Sequence, residues 1–223
     1  RPDLEATLKT SLRALSVDEV VLLKNQGAQL VDVREAADFE GAHFAGAINI
    51  GLQGKYATWC GSILSHEQPI IVVAEAGNEE EAVMRLGRIG FDNVSGYLRD
   101  SMAALESRPE LVQKVPRITA PALAEQLAEG QPPFILDVRS ENEWKAGHLK
   151  EATFLPLDGF PENLKNLDRE TPYLIHCGGG YRSMTAISIM KLNGFETLIN
   201  VYEGFGAMQR LGLEIVTEEV AVS

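Results

Sequence analysis

The segment Leu30-Val31-Asp32-Val33-Arg34 returns 105 residues later as Ile135-Leu136-Asp137-Val138-Arg139. Each copy is a short apolar run closed by an Asp-Val-Arg triplet, the pattern of a buried strand that ends at a polar turn. The match spreads outward from there. At the same offset Asp38-Phe39 meets Glu143-Trp144, and His43 meets His148. Pro69 with Ile70 to Val73 parallels Pro172 with Tyr173 to His176, and Gly90-Phe91 falls on Gly194-Phe195. This many shared residues in one order imply a tandem duplication whose unit is a whole small domain, not a solenoid repeat.

Within each copy strands alternate with helices, which predicts an α/β fold with a mainly parallel central sheet and helices on both faces. About five strands per half are expected. Ser16-Val17-Asp18-Glu19 has capping-box spacing and opens a helix to about Asn25. Residues 30–33, 70–74 and 134–138 read as strands, and 79–89 and 182–192 as amphipathic helices. Thr119 is placed to cap a short helix ending at Ala128. The expected organisation is a leader from an upstream region over 1–15 and a first domain over 16–106. A proline-marked linker over 107–117, a second domain over 118–216 and a tail over 217–223 complete it.

The 223 residues carry a formal charge of −12, with 10 basic and 17 acidic groups in residues 1–110 against 10 and 15 in the rest. A hydrophobic fraction of 45% excludes a disordered acidic tail. No apolar run approaches the length of a membrane span, and no Lys/Arg cluster offers a surface for nucleic acid. Two cysteines, Cys60 and Cys177, are too few for a disulfide framework. With no signal peptide visible, they are expected as free thiols in a reducing cytoplasm. No Cys-x-x-Cys pair is present, and neither a metal site nor a cofactor is expected.

The segment His176-Cys177-Gly178-Gly179-Gly180-Tyr181-Arg182-Ser183 joins a predicted strand to a predicted helix. In an open parallel sheet, ligands bind beyond the carboxyl ends of the strands. A cysteine there faces a helix N-terminus, whose free N–H groups and dipole favour an anion, and thiolate is the nucleophilic form. Three successive glycines let the backbone curl into a nest of inward N–H groups, and Arg182 adds a positive charge. Nucleophile, cradle and cation fall within six residues. Cys177 and Arg182 are therefore the candidate catalytic residues, with Gly178, Gly179, Gly180, Tyr181 and Ser183 as the cradle. Asp137, Arg139 and His148 recur as Asp32, Arg34 and His43 in the half without this cysteine, which assigns them to structural support. His176, by strand alternation, faces away from Cys177 and packs inside.

From about Ser16 onward each half resembles a rhodanese domain. The residues that carry the likeness are Asp137-Val138-Arg139, Glu143-Trp144, Gly147-His148-Leu149, Cys177 to Ser183, and Gly194-Phe195. The resemblance implies a sulfurtransferase. Cys177 would take a sulfane sulfur from thiosulfate or a low-molecular-weight persulfide, hold it as a persulfide cradled by Gly178 to Arg182, and pass it to sulfite, cyanide or a thiol. Small anionic sulfur compounds are then the expected partners, and neither nucleic acid nor a membrane is. Relatives with one more loop residue are phosphatases or arsenate reductases. These, and a non-catalytic module that carries persulfide, are the alternatives. By the same analogy Glu203-Gly204-Phe205-Gly206 lines the pocket mouth. Cys177 to Met184, together with Gly46 to Ile50 and Ala57-Thr58-Trp59, is similar to bacterial proteins that fuse a metallo-β-lactamase-fold persulfide dioxygenase to two rhodanese domains. That likeness implies an upstream iron domain and a role in sulfide and persulfide metabolism.

The first half departs from the pattern at the loop. In Ala74-Glu75-Ala76-Gly77-Asn78-Glu79, Ala74 takes the place of Cys177 and Glu79 that of Arg182. Glu75, Glu79, Glu80 and Glu81 suit a helix dipole but repel an anionic donor, so this copy is expected to be inactive. Cys60 reads as a buried small hydrophobe.

Overall fold

The computed structural model describes residues 9–130 and 132–218. The chain divides into two compact units, one through Lys114 and one from Val115. The first contains β1 (Ala14–Leu15), α1 (Val17–Asn25), β2 (Gln29–Asp32), α2 (Ala36–Gly41), β3 (His43–Phe44) and β4 (Ile48–Asn49). It continues with α3 (Tyr56–Ile63), β5 (Ile70–Val73), α4 (Glu79–Arg88), β6 (Val94–Leu98) and β7 (Val112–Gln113). The second contains β8 (Arg117–Ile118), α5 (Ala120–Ala128), β9 (Phe134–Asp137), α6 (Glu141–Ala146), β10 (His148–Leu149) and β11 (Ala152–Phe154). It closes with β12 (Tyr173–His176), α7 (Tyr181–Leu192), β13 (Leu198–Val201), α8 (Gly204–Arg210) and β14 (Ile215–Val216).

Each unit is built on a five-stranded parallel sheet, ordered β1-β6-β5-β2-β4 in the first and β8-β13-β12-β9-β11 in the second. The two orders are the same topology. A short antiparallel pair, β3–β7 or β10–β14, closes each unit. All four residues of β5 are buried, as are those of β12, which is why these strands read as unbroken apolar runs: a parallel sheet is covered on both faces. The capping box forms as its spacing predicts, with the Ser16 hydroxyl accepting the Glu19 N–H and the Glu19 carboxylate accepting the Ser16 N–H. Thr119 likewise accepts the Ala122 N–H at the start of α5. Leu123, Ile135, Leu149, Leu174, Val201 and Met208 pack as a core of the second unit.

Four expectations need correction. Ala14–Leu15 is not leader but the edge strand β1, paired with Tyr97 and Leu98, and it is the counterpart of β8. Residues 1–8 lie outside the described residues. The stretch 107–117 is not a bare linker, because Val112–Gln113 seals the first unit against β3 and Arg117 already belongs to the second sheet. Two-residue strands are too short to show a hydrophobic period, so nothing in the sequence pattern announces them. In the presumed tail, the Glu218 carboxylate accepts the Trp144 indole N–H at 2.8 Å; residues 219–223 lie outside the described residues. Finally, α7 is not amphipathic: residues 183–190 are all buried. The hydroxyls of Thr185 and Ser188 donate to the carbonyls of Tyr181 and Thr185, so polar side chains are satisfied by their own helix backbone. Among the described residues no helix is long and apolar enough to cross a membrane.

Candidate active site

Strand β12 delivers Cys177 to the turn before α7, where the residue is 1% exposed. Its Sγ accepts the backbone N–H of Gly180 at 3.1 Å. Gly180 sits at φ +92°, the N-cap of α7, a left-handed conformation that a side chain disfavours. That bend turns the N–H onto the sulfur. Gly178 and Gly179 are exposed, while Gly180, Tyr181 and Arg182 are half-buried. Ser183 is fully buried, its hydroxyl within reach of the Gly180 carbonyl (3.2 Å) and Asn200 Oδ1 (3.0 Å). It fastens the loop from behind and does not line it.

The turn into α8 packs against the loop. The Phe205 N–H donates to the Cys177 carbonyl at 2.9 Å. Gly204, at φ +69°, leaves no room for a side chain, since a Cβ would stand 2.5 Å from the Gly178 carbonyl oxygen. Glu203 accepts the Ala120 N–H. The segment expected at the pocket mouth is thus, in its middle, a wall behind the Cys177 backbone.

Arg182 is tied down. Its Nη1 and Nη2 donate to Glu143 Oε2 and Oε1 at 2.5 and 2.8 Å. The bidentate arginine holds the Glu143 carboxyl well below its usual range, at about 2, with Ser140 adding to the effect and burial opposing it. The same bond pushes Arg182 up. Glu143 also accepts the Ser140 N–H in the capping box that opens α6. Sequence reasoning missed it as a site residue, treating it only as part of a shared motif. A signal was present: at the positions of Glu143 and Arg182 the first half carries Asp38 and Glu79, so the pair changes together.

Beneath the loop, Arg139 bonds both carboxylate oxygens of Asp137 (2.7–3.1 Å) and the Gly147 carbonyl (2.8 Å). The His148 ring meets the Trp144 carbonyl at 2.8 Å and stacks on its indole, 3.4 Å between centroids. The first unit repeats this bracket with Arg34 on Asp32 and Ala42, and with His43 on Phe39. In the second unit Arg139 also makes a cation–π contact, its guanidinium 3.7 Å from the centre of the Phe205 ring. His176 is fully buried, 3.6 Å from Asp137. Burial pushes its pKa down, against the pull of Asp137.

In the first unit the same bend survives without the chemistry. Gly77 has φ +92°, but its N–H donates to the Glu79 carboxylate at 2.8 Å, and Ala74 is buried where a thiol would stand. A cleft of about 540 Å³ beside it is lined by Ala76, Glu79, Tyr97, Arg99 and Ser101 among others, and no cysteine lines it. Cys60 is buried on α3, and burial pushes its thiol up to about 12.

Comparison with known proteins gives the same division. The family model for the rhodanese-like domain matches residues 16–107 and 119–210. A putative sulfurtransferase of Bacillus subtilis, YtwF, is 28% identical over 43% of this chain and 92% of its own length. A tRNA uridine(34) hydroxylase of Protochlamydia amoebophila is 32% identical over 52% of this chain, a match that spans 38% of that protein. A crystal structure of a rhodanese-like domain protein from Staphylococcus aureus is 32% identical, with a TM-score of 0.43, over 47% of this chain and 100% of that one. With a model match in each unit, the chain belongs to the rhodanese-like domain family.

Proposed function

We propose that the second unit is a sulfurtransferase that works through a Cys177 persulfide, and that the first unit is an inactive copy. The observation that carries this reading is the Cys177 sulfur held at the N-terminus of a twelve-residue helix with a loop N–H already directed at it, set against Ala74 at the matching place. Backbone N–H groups and the helix dipole stabilise an anion there, whether thiolate or persulfide.

In the first step the Cys177 thiolate attacks the outer sulfur of thiosulfate. The new S–S bond forms as the old one breaks, and its electron pair leaves with sulfite. A low-molecular-weight persulfide would react in the same way, with a thiolate as the leaving group. In the second step sulfite, cyanide or a thiol attacks the terminal sulfur and regenerates the thiolate. Two covalent half-reactions imply ping-pong kinetics. The six-residue span from Cys177 to Arg182 favours sulfur over phosphate or arsenate. The likeness to persulfide dioxygenase fusions supports a place in sulfide and persulfide metabolism, with small sulfur anions as partners and a cytoplasmic setting. A charge of −12 with no basic cluster weighs against binding tRNA, despite the names of some relatives.

Intact mass after exposure to thiosulfate or a persulfide tests the reading directly. One added sulfur, about 32 Da, is expected on the wild type and not on Cys177→Ser, which also loses thiocyanate formation from thiosulfate and cyanide. Thiocyanate formation retained by Cys177→Ser would overturn the assignment. Aryl phosphate hydrolysis dependent on Cys177 would favour the phosphatase alternative.

A further inference from the structure

We propose that Glu143 is a positioning residue that sets the charge of the donor accepted at Cys177, by holding Arg182 in a closed ion pair. The inference rests on the sulfurtransferase reading. An arginine at the end of such a loop would ordinarily offer a free positive charge to an incoming anion. Here both of its terminal nitrogens are already committed to one carboxylate, and that carboxylate is anchored on α6 by Ser140. The guanidinium lies against the loop, since a Cβ on Gly178 would meet Arg182 Nη2 at 3.1 Å and Glu143 Oε1 at 3.7 Å. The other arginine beneath the loop, Arg139, is likewise taken by Asp137. A donor therefore meets backbone N–H groups and a neutralised pair, with a carboxylate oxygen facing the same edge as the guanidinium.

The consequence is selectivity. Backbone N–H groups serve one negative charge on the transferred sulfur, but for a second charge elsewhere on the donor the two arginines at the loop, Arg182 and Arg139, are already paired. A singly charged donor, such as an organic thiosulfonate or perthiolate, is favoured over the thiosulfate dianion. The first half is consistent: where Cys177 gives way to Ala74, the Glu143–Arg182 pair gives way to Asp38 and Glu79, two like charges that cannot form it.

Thiosulfate and methanethiosulfonate provide a matched pair of probes, because each gives up the same terminal sulfur, with sulfite or methanesulfinate as the leaving group. The readout is the ratio of kcat/KM for the dianion to that for the monoanion, with cyanide as acceptor. Glu143→Gln keeps the capping box, which accepts glutamine, and frees the charge of Arg182. The ratio should rise about 3–10-fold, through KM for thiosulfate, as expected for one unpaired charge acting across several ångströms of partly screened space. The gain should shrink at high salt. Arg182→Gln leaves Glu143 unpaired and should lower the ratio. Opposite movement by two variants that break one pair is the signature, because a merely structural pair would depress both donors together. A ratio unchanged within twofold in both variants, or moving the same way in both, overturns the proposal while leaving the transferase reading intact. If the wild type takes sulfur from neither of these donors nor from a low-molecular-weight persulfide, both readings fall.

Discussion

Arg139→Gln is the perturbation that best separates holding the site from performing its chemistry. Asp137 has no exposed side-chain surface and Arg139 only 4%, so removing the guanidinium leaves a carboxylate with its charge partner gone and no water to replace it. Breaking one side of a buried ion pair costs about 3–5 kcal/mol. For a unit of this size that is a fall in Tm of at least about 12 °C. The matching change in the first unit, Arg34→Gln, removes the same bidentate contact with Asp32, equally buried, and should destabilise that unit by a similar amount. Each unit has one tryptophan, Trp59 on α3 and Trp144 on α6. Urea unfolding followed by fluorescence in Trp59→Phe and Trp144→Phe backgrounds therefore reads the two units separately. Burial pushes the Asp32 carboxyl up against the pull of Arg34. Without Arg34 it rises further, so folding takes up a proton and the deficit should narrow as pH falls from 8 towards 5. The functional consequence is one-sided. Arg139 also lies against Phe205, whose N–H holds the Cys177 carbonyl, so Arg139→Gln should cut sulfur transfer by at least about tenfold under conditions where the unit stays folded. Arg34→Gln should leave transfer within about twofold. A stability loss under about 1 kcal/mol in either unit would refute the reasoning, since it would mean that the pair is not a buried charge bracket.

Two further outcomes follow from the same geometry. Ala74→Cys, made in a Cys177→Ser background, should give no measurable thiocyanate: Glu79 already occupies the Gly77 N–H, and each nearby carboxylate opposes an anionic donor by about 1–3 kcal/mol. A rate within tenfold of the native second unit would show that the carboxylates are not what silences this copy. Cys60, buried with its thiol pushed up to about 12, should resist iodoacetamide at pH 8 in the folded protein and react once urea unfolds the first unit; modification of Cys60 at the same rate before and after unfolding would contradict its burial.

The two copies act as an internal control on what sequence can reveal. Positions that match across the repeat, such as Asp32 with Asp137, Arg34 with Arg139 and His43 with His148, turn out to make the same contacts in both units. They were legible because one local bracket, a strand end clamped to the next helix, imposes the same residues wherever the fold is built. The short edge strands were not legible, since a two-residue pairing is decided by the partner strand and leaves no period of its own. Nor was the burial of α7, whose Thr185 and Ser188 hide their polarity in the helix backbone. The candidate site divides in the same way. Cys177 and the glycine turn stand out because reactivity and a left-handed bend each demand particular residues in a row. Glu143 does not stand out, because its effect needs a partner 39 residues away, a distance in sequence that only the fold closes. Set against the first half, however, the differences fall together: Val73 for His176, Ala74 for Cys177, Glu75 for Gly178, Asp38 for Glu143 and Glu79 for Arg182. All five lie at one end of one sheet or on the helices that flank it. A duplicated chain that keeps the Asp–Arg and His brackets while these five positions change has kept the scaffold and altered the chemistry, and that is why the contrast between copies, more than either copy alone, points to Glu143.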